Sequence, residues 1–404
     1  MTTPPAHELD VDAALAQLCD GLTQITGTLD LPLAQAAGAV LAQDLRSPLD
    51  LPAFDNAAMD GYAVRHADLA ACATLREVGR SYAGHGHTGT VEPGTCVRIM
   101  TGAPLPAGAD TVVMLENVET SDGQVRVRTT PPSGANIRRR GEHIARGDVV
   151  LTAGTQLSGV EIALAASVGC AQIAVRRRLR VGVLSTGDEL ADPPQPLGAA
   201  ASYDANRPLL LAACTRLGFD VVDLGICGDC GSDFSATLDR AFDAGCDALV
   251  ISGGAAKGDA DIVRQAGGVA FVPLNLRPGR GLAHARLRRD AQSMLLLGLP
   301  GNVVAAYVMF HRVARPALLH LAGALARPLP RLRAPLSAPA SVRGGQIHYR
   351  RARLDGQGRV ELLRDQSSAM LLGLTEADCL IELGPATQYD AGALVNVIPL
   401  GLLG

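Results

Sequence analysis

The chain has no tryptophan and only 3% aromatic residues over its 404 positions, so its cores must rest on Ala, Val and Leu within a hydrophobic content of 48%. It has no excess of basic charge, the net value being −4. A general nucleic-acid binder needs a dominant positive footprint, and that class is set aside. Long apolar runs are missing as well. The longest, Leu295 to Leu325, is cut by His311, Arg312, Arg315 and Pro316, which argues against a membrane span. Met1 to Asp10 carries neither a basic start nor an apolar stretch, so no secretory leader is expected. The nine cysteines are odd in number and scattered, which points to a reduced, cytoplasmic chain. The single close pair, Cys227-Gly228-Asp229-Cys230, has no second pair or histidines at zinc spacing. No Walker A and no G-x-S-x-G sequence occurs, which removes the support for those two chemistries. Gly84-His85-Gly86-His87-Thr88-Gly89 spells G-x-G-x-x-G, but no strand precedes it and Pro93 follows soon after. It reads as a loop, and His85 and His87 as part of a solvated glycine turn.

What is present points to several domains, two to four by length. Val11 to Leu22 has helical spacing behind Asp10, a candidate cap. A second helix is expected over Leu33 to Leu45. From Pro48 to Gly141 short β-rich pieces alternate with Gly and Pro turns: Cys96 to Met100, Thr111 to Leu115 and Val125 to Arg128. Val149 to Val175 returns to strand, helix (Ser158 to Val168) and strand, so the β unit reads as an insertion. From Arg180 the texture is α/β. Strands are expected at Val181 to Leu184, Asp220 to Leu224 and Ala248 to Ile251, and helices at Pro208 to Leu217, Phe234 to Ala244 and Asp261 to Ala266. Uninterrupted apolar strands between helices predict a parallel sheet covered on both faces. Val303 to Ala322 supplies a long closing helix. Ile347 to Leu354, Val360 to Leu363, Cys379 to Leu383 and Leu394 to Ile398 predict a small C-terminal barrel.

In a parallel sheet, ligands bind beyond the carboxyl ends of the strands. Three loops suit that position: Ser185-Thr186-Gly187-Asp188-Glu189 with Leu190, Ser252-Gly253-Gly254 with Lys257, Gly258, Asp259 and Asp261 behind it, and Gly298-Leu299-Pro300-Gly301-Asn302. Glycine lets backbone N–H groups approach an anion, and a following helix start adds a favourable dipole. Any one of them also fits an ordinary strand–helix connection; three on one sheet favour a site. Two basic clusters, Arg138 to Arg140 and Arg176 to Arg180, suit phosphate or equally a solvated loop and strand end. Phe54-Asp55-Asn56-Ala57-Ala58-Met59-Asp60-Gly61-Tyr62-Ala63-Val64-Arg65 sets carboxylates beside a glycine, which suits cation or hydroxyl binding.

With Thr101-Gly102-Ala103-Pro104-Leu105-Pro106-Ala107-Gly108-Ala109-Asp110 and Arg138-Arg139-Arg140-Gly141-Glu142, these segments fall in one order over nearly the whole length. In that order they resemble the molybdopterin molybdenumtransferase family, MoeA and the gephyrin C-terminal region. The resemblance implies an α/β multidomain protein with four parts. These are an elongated N-terminal domain (1–49 and 143–178), an inserted β domain (50–142), a central parallel-sheet molybdopterin-binding domain (179–326) and a C-terminal β-barrel (327–404). It implies a homodimer whose pocket lies between the central domain of one subunit and the inserted domain of the other. It implies insertion of molybdate into adenylylated molybdopterin with release of AMP, assisted by Mg2+, and a handover from the molybdopterin adenylyltransferase.

Carried onto matching positions, the resemblance implies catalytic roles for Asp60, Asp188, Glu189, Asp229 and Asp261. Of these, Asp60, Glu189 and Asp261 would take the metal. Substrate contacts fall to Thr101, Thr186, Gly187, Ser252, Gly253, Gly254, Arg277, Arg280, Pro300, Gly301, Asn302 and Ser367, with Gln366 beside the last. Arg277-Pro278-Gly279-Arg280 stands for K-P-G-K and keeps the charge while adding a forked geometry for oxyanions. The chain also departs from the family. Ala57 replaces a Ser. His143 stands where the family has Asp, and is mostly neutral at pH 7. Ala255, Ala256 and Lys257 alter the S-G-G-x-S-x-G stretch, and Val303 replaces a Pro. Those departures keep open a tungstate-preferring or non-catalytic carrier or scaffold. An ATP-dependent nucleotidyl transferase acting one step earlier is the third reading.

Overall fold

The structure is a computed structural model that describes residues 8–69, 73–253, 263 and 267–402. Near its start, Asp10 caps the helix Val11–Cys19 by accepting from the Asp12 N–H at 2.9 Å. Val11, Ala14 and Leu18 form its buried stripe, and they join the main core with Phe310, Val313 and Leu318 of the closing helix.

The expected helix over 33–45 is not formed. A single 3-10 turn, Leu33–Gln35, is followed by extended chain in which Val40 bridges Gln156 and Leu41 bridges Val175. The cause lies at Gly38, whose φ is +76° and where an added Cβ would lie 3.3 Å from the Gly218 Cα. The apolar residues that mimic helical spacing are buried instead against the helix Gly159–Ser167 and the strand Gln172–Arg176. That strand pairs antiparallel with Thr28–Pro32 to make a narrow ribbon.

The inserted region forms a six-stranded sheet in the order Thr111–Met114, Gly61–Val64, Thr95–Ile99, Thr74–Ser81, Gln124–Val127, Val118–Ser121. Gly61 is required there: a Cβ would sit 2.0 Å from the Val113 carbonyl oxygen. The segment Gly84–Gly89 is loop, with Tyr82 bridging His85, as expected. The expectation that no strand precedes it fails: the strand Thr74–Ser81 ends just before it, and what is missing is the following helix.

The central sheet has six strands in the order Asp220–Cys227, Arg180–Thr186, Ala248–Ser252, Gln292–Leu299, Gly281–Arg289, Ala270–Pro273. The first four are parallel and the last two antiparallel, so the sheet is mixed rather than all-parallel. The hairpin that adds the antiparallel edge turns at Asp290, φ +54°, without the glycine that usually marks such a turn. Its strand Gly281–Arg289, between Gln292–Leu299 and the edge strand Ala270–Pro273, alternates buried residues with Arg286 and Arg288 toward its end, the pattern of an antiparallel strand with one face toward water. The helix expected over 261–266 lies outside the described residues. The closing helix runs from Val303 through a π turn, Phe310–Ala314, to Leu321.

Four C-terminal strands, Leu332–Pro335, Leu394–Pro399, Cys379–Leu383 and Ile347–Leu354, pair in that order, and Val360–Leu362 pairs with the last. A bridge between Leu336 and Val360 closes the set into a small barrel. Leu276–Arg277 pairs with Ile347–His348, which joins the barrel to the central unit. Among the described residues no helix is long and apolar enough to cross a membrane.

Candidate active site

The ends of the parallel strands are shaped by glycines that have no room for a side chain. At Gly187, φ +144°, a Cβ would lie 2.5 Å from Glu189 Oε2, so the Glu189 carboxylate folds back over the turn. At Gly253, φ +103°, it would lie 2.6 Å from both the carbonyl and Oγ1 of Thr186. The Thr186 hydroxyl donates to the Ser252 carbonyl at 3.3 Å, which ties the first two loops. Gly301 meets the second loop, its Cβ position being 3.6 Å from the Gly253 Cα. Thus Thr186, Gly187, Ser252, Gly253 and Gly301 converge. Gly254 and Asp261 lie outside the described residues.

Acidic groups collect beside these turns. Asp188 Oδ1 accepts from the Asp229 N–H at 2.9 Å, and the Glu189 carboxylate is near enough to repel that of Asp229. Burial first, and then the charges of Asp188 and Glu189, hold the Asp229 carboxyl above its ordinary range. Among the described residues no set of three or more His, Cys, Asp or Glu side chains is placed to hold a metal alone. This donor chemistry fits a Mg2+ that takes one or two carboxylates and draws its other oxygens from water and phosphate.

The raised Asp229 has a measurable consequence. Its ionised form is penalised in the folded state. The penalty is absent while the carboxyl is protonated and grows as pH rises through the carboxylate range. Asp229→Asn is expected to stabilise the protein at about pH 7, by less than about 1 kcal/mol because the residue is exposed to screening, and to change nothing at about pH 3. Thermal midpoints at the two pH values check this; an equal gain at both excludes the charge explanation.

Sequence reasoning missed the residue that joins the loops. Asn206, at the start of the helix Asn206–Arg216, donates through Nδ2 to Ser252 Oγ at 2.6 Å and to the Gly301 carbonyl at 2.6 Å. Beneath it Asp204 is buried and accepts from the Ser185 hydroxyl, from the Asn206 N–H and from Arg207. Tyr203-Asp204-Ala205-Asn206-Arg207 carries the cue, a polar run leading straight into an apolar helix.

Pro300, Gly301 and Asn302 also line one end of a cleft of about 1190 Å³. Its other wall comes from the barrel, with Arg343, His348, Arg350 and Gln366. Arg277 and Arg280 stand between. Arg277 Nε donates to Gln346 Oε1 at 2.6 Å and Arg280 Nη2 to Glu8 Oε1 at 2.6 Å. The Gln346 amide and Arg280 keep the Glu8 carboxyl below its usual range. Burial lowers the proton affinity of Arg350 and of His348, the latter with the nearby charges of Arg350, Arg277 and Arg343 adding to it. Arg350 and Arg351 point to opposite faces of one strand. Arg351, 1% exposed, donates to the carbonyls of Asp365, Ser367 and Met370 and so fixes the loop that carries Gln366. Ser367 contributes its carbonyl to that staple, while its neighbour Ser368 lines the cleft.

Asp60 and Thr101 form a separate constellation on the inserted sheet. Asp60 Oδ1 accepts from the Thr101 N–H at 2.8 Å and from its hydroxyl at 2.7 Å, which holds the carboxyl below its usual range. Among the described residues of one chain no hydrogen bond or ion pair links it to Asp188, Glu189 or Asp229. The basic clusters are engaged by carboxylates. Arg139 pairs with Asp55 and Arg140 with Asp50, while Arg177 pairs with Asp247 and Arg180 with Asp220. His143 is exposed, its Nε2 4.0 Å from Glu142 Oε1. Cys230 is exposed and Cys227 buried, both as free thiols.

Three family descriptions cover the chain in succession: "MoeA N-terminal region (domain I and II)" over residues 9–169, "Probable molybdopterin binding domain" over 182–320 and "MoeA C-terminal region (domain IV)" over 333–400. The molybdopterin molybdenumtransferase of Haemophilus influenzae is 35% identical, with 98% of this chain and 99% of that protein aligned. Molybdopterin molybdenumtransferase 2 of Mycobacterium tuberculosis is 37% identical, over 91% of this chain and 94% of its own length. The molybdopterin biosynthesis moeA protein of Pyrococcus horikoshii OT3 superposes with a TM-score of 0.82 at 25% identity, covering 97% of this chain and all of its own. Continuous likeness of this extent, over every unit described above, means that the chain belongs to the molybdopterin molybdenumtransferase family.

Proposed function

We propose that the protein completes the molybdenum cofactor by inserting molybdate into adenylylated molybdopterin, with release of AMP. One observation carries this reading: the turn Pro300–Asn302 joins the acid-rimmed ends of the parallel strands to an arginine-lined cleft. A phosphoanhydride needs close backbone approach and donors. The N–H groups of Gly187 and Gly253 donate to the Cys227 and Leu299 carbonyls, so these glycines serve by leaving room for the ligand, and the turn at Gly301 and Asn302 offers the donors. Molybdate is a dianion, and Arg277, Arg280 and Arg350 offer it positive charge with forked donors. Glu189 and Asp261, with Asp60 of a facing inserted domain, would hold Mg2+, which when bound neutralises phosphate charge. Asp188 and Asp229 orient the turn that carries Glu189. The reading includes a cytoplasmic homodimer, division of the chain at 1–49 with 143–178, 50–142, 179–326 and 327–404, and receipt of substrate from an adenylyltransferase. Purified protein given adenylylated molybdopterin, Mg2+ and molybdate is expected to release AMP and yield active cofactor. Absence of both at saturating molybdate defeats the proposal.

A second reading, a binding protein that holds the pterin without turnover, is favoured by His143. The residue is exposed next to Glu142, where the family has a carboxylate. General acid–base groups contribute about a hundredfold or more, so His143→Asp is expected to raise AMP release at least about tenfold. Unchanged release clears His143 of any part in slowing the reaction.

A further inference from the structure

We infer that Asn206 is the positioning residue that aims two hydrogen-bond donors, the Ser252 hydroxyl and the Asn302 backbone N–H, at the bound substrate. The inference rests on the proposed function for the identity of that substrate. Its basis is the pair of 2.6 Å contacts from a single amide nitrogen, to Ser252 Oγ and to the Gly301 carbonyl oxygen.

Each contact fixes a direction. A serine hydroxyl that accepts from Asn206 keeps its own hydrogen free to donate elsewhere. A trans peptide holds its C=O and N–H antiparallel, so a Gly301 carbonyl turned toward Asn206 turns the Asn302 N–H away from it. Gly301 and Asn302 line the cleft and Asn206 does not, so an Asn302 N–H turned from Asn206 is turned toward the ligand side. Ser252, 2% exposed, lies at the floor beside this turn. The amide thereby selects donors over acceptors at two points, which suits an anionic or carbonyl-bearing ligand. Asn206 itself is anchored from below. Its N–H donates to Asp204 Oδ1 at 3.0 Å, and Asp204 in turn holds Ser185 at the tip of the neighbouring strand. Its Oδ1 is buried and has no partner among the described residues. Leaving an amide oxygen so placed is unfavourable, and the two Nδ2 contacts are what the amide provides in return.

The arrangement separates positioning from support of the fold through a near-isosteric change. Asn206→Asp keeps size and shape but replaces the donor nitrogen with a carboxylate oxygen. It repels the Gly301 carbonyl and draws the Ser252 hydroxyl hydrogen onto itself, which reverses both settings. Asn206→Ala releases both settings without reversing them. If Asn206 only filled space, Asp would behave like the parent and Ala would be the poorer of the two.

The test measures the dissociation constant for adenylylated molybdopterin, with molybdate left out, by equilibrium dialysis with wild type, Asn206→Ala, Asn206→Asp and Ser252→Ala. Thermal midpoints are recorded for each. Expected are a loss of about tenfold for Asn206→Ala, a greater loss for Asn206→Asp, and a loss for Ser252→Ala smaller than either. Asn206→Asp binding within about twofold of wild type, or tighter than Asn206→Ala, overturns the inference. If Asn206→Ala fails to fold, Asn206→Asp is compared with Ser252→Ala, and a smaller loss for Asn206→Asp overturns the inference in the same way. A wild type that binds no adenylylated molybdopterin defeats the proposed function, and this inference with it. A wild type that binds beside an equally competent Asn206→Asp defeats the inference alone.

Discussion

Arg207→Ala is expected to lower the thermal midpoint of the central domain by about 6–20 °C. Arg207 is 7% exposed and spreads its guanidinium over three carboxylates. Nε reaches Asp204 at 3.1 Å, Nη1 reaches Asp223 at 2.5 Å, and Nη2 pairs with Asp192. Asp223 and Asp192 are part-exposed and can turn to water, whereas the Asp204 side chain is 1% exposed and cannot. Removing one partner of a buried pair leaves an uncompensated charge, at a cost of about 3–5 kcal/mol. A domain of this size loses about 2–4 °C for each kcal/mol, which sets the range given. Asp204 would still accept from Ser185 and from the Asn206 N–H, which offsets part of the penalty. The doubly changed Asp204→Asn, Arg207→Met should be closer to the parent than Arg207→Ala, because neither charge is then left alone. A midpoint within about 2 °C of the parent for Arg207→Ala would remove the network from the account of stability.

The same network shows which features a sequence displays and which it hides. The glycine turns at Gly187, Gly253 and Gly301 are legible because each follows an apolar strand, and strand ends in an α/β sheet are where ligands bind. Asp188 and Glu189 are legible because two acids beside such a turn have no folding reason to be there. Asn206 and Asp204 are not, because they make contact across 46 and 95 positions to Ser252 and Gly301 and across 19 to Ser185. Local pattern does not report such separations. Arg350 and Arg351 look alike in sequence; only the pleat of their strand sends one to the cleft and the other under the Gln366 loop.

The fold divides in the same way. Strands bounded by turns fall within a few residues of their expected places. The segment 33–45 mimics a helix but does not form one, because Gly38 and Gly218 approach each other and a close backbone contact overrides apolar spacing. The antiparallel edge leaves no mark in the sequence, because Asp290 and Ala291 turn the chain without a glycine signal.

Mixing two inactive variants is expected to restore activity, and the amount reports the architecture of the site. In one chain Asp60 belongs to the inserted sheet with Thr101, and Glu189 to the central sheet with Asp188 and Asp229. The proposed chemistry needs both carboxylates at one cation, which the proposal meets by facing the inserted domain of one protomer with the central domain of its partner. Loss of either carboxylate, by Asp60→Ala or Glu189→Ala, is expected to reduce AMP release about a hundredfold or more. A two-fold dimer repeats every contact, so it holds two sites, each using one Asp60 and one Glu189 from different chains. In a heterodimer of the two variants one site inherits both defects and the other inherits none. Random assortment makes about half of the dimers heterodimers, so co-expressed variants should recover about a quarter of wild-type turnover. A site contained within one chain gives no intact copy in any combination, and the mixture then stays at the level of its parents. Recovery near a quarter therefore requires a shared site, while recovery of nothing, with heterodimers verified by differential tags, places Asp60 and Glu189 on unrelated surfaces and leaves the proposed transfer without a cation site.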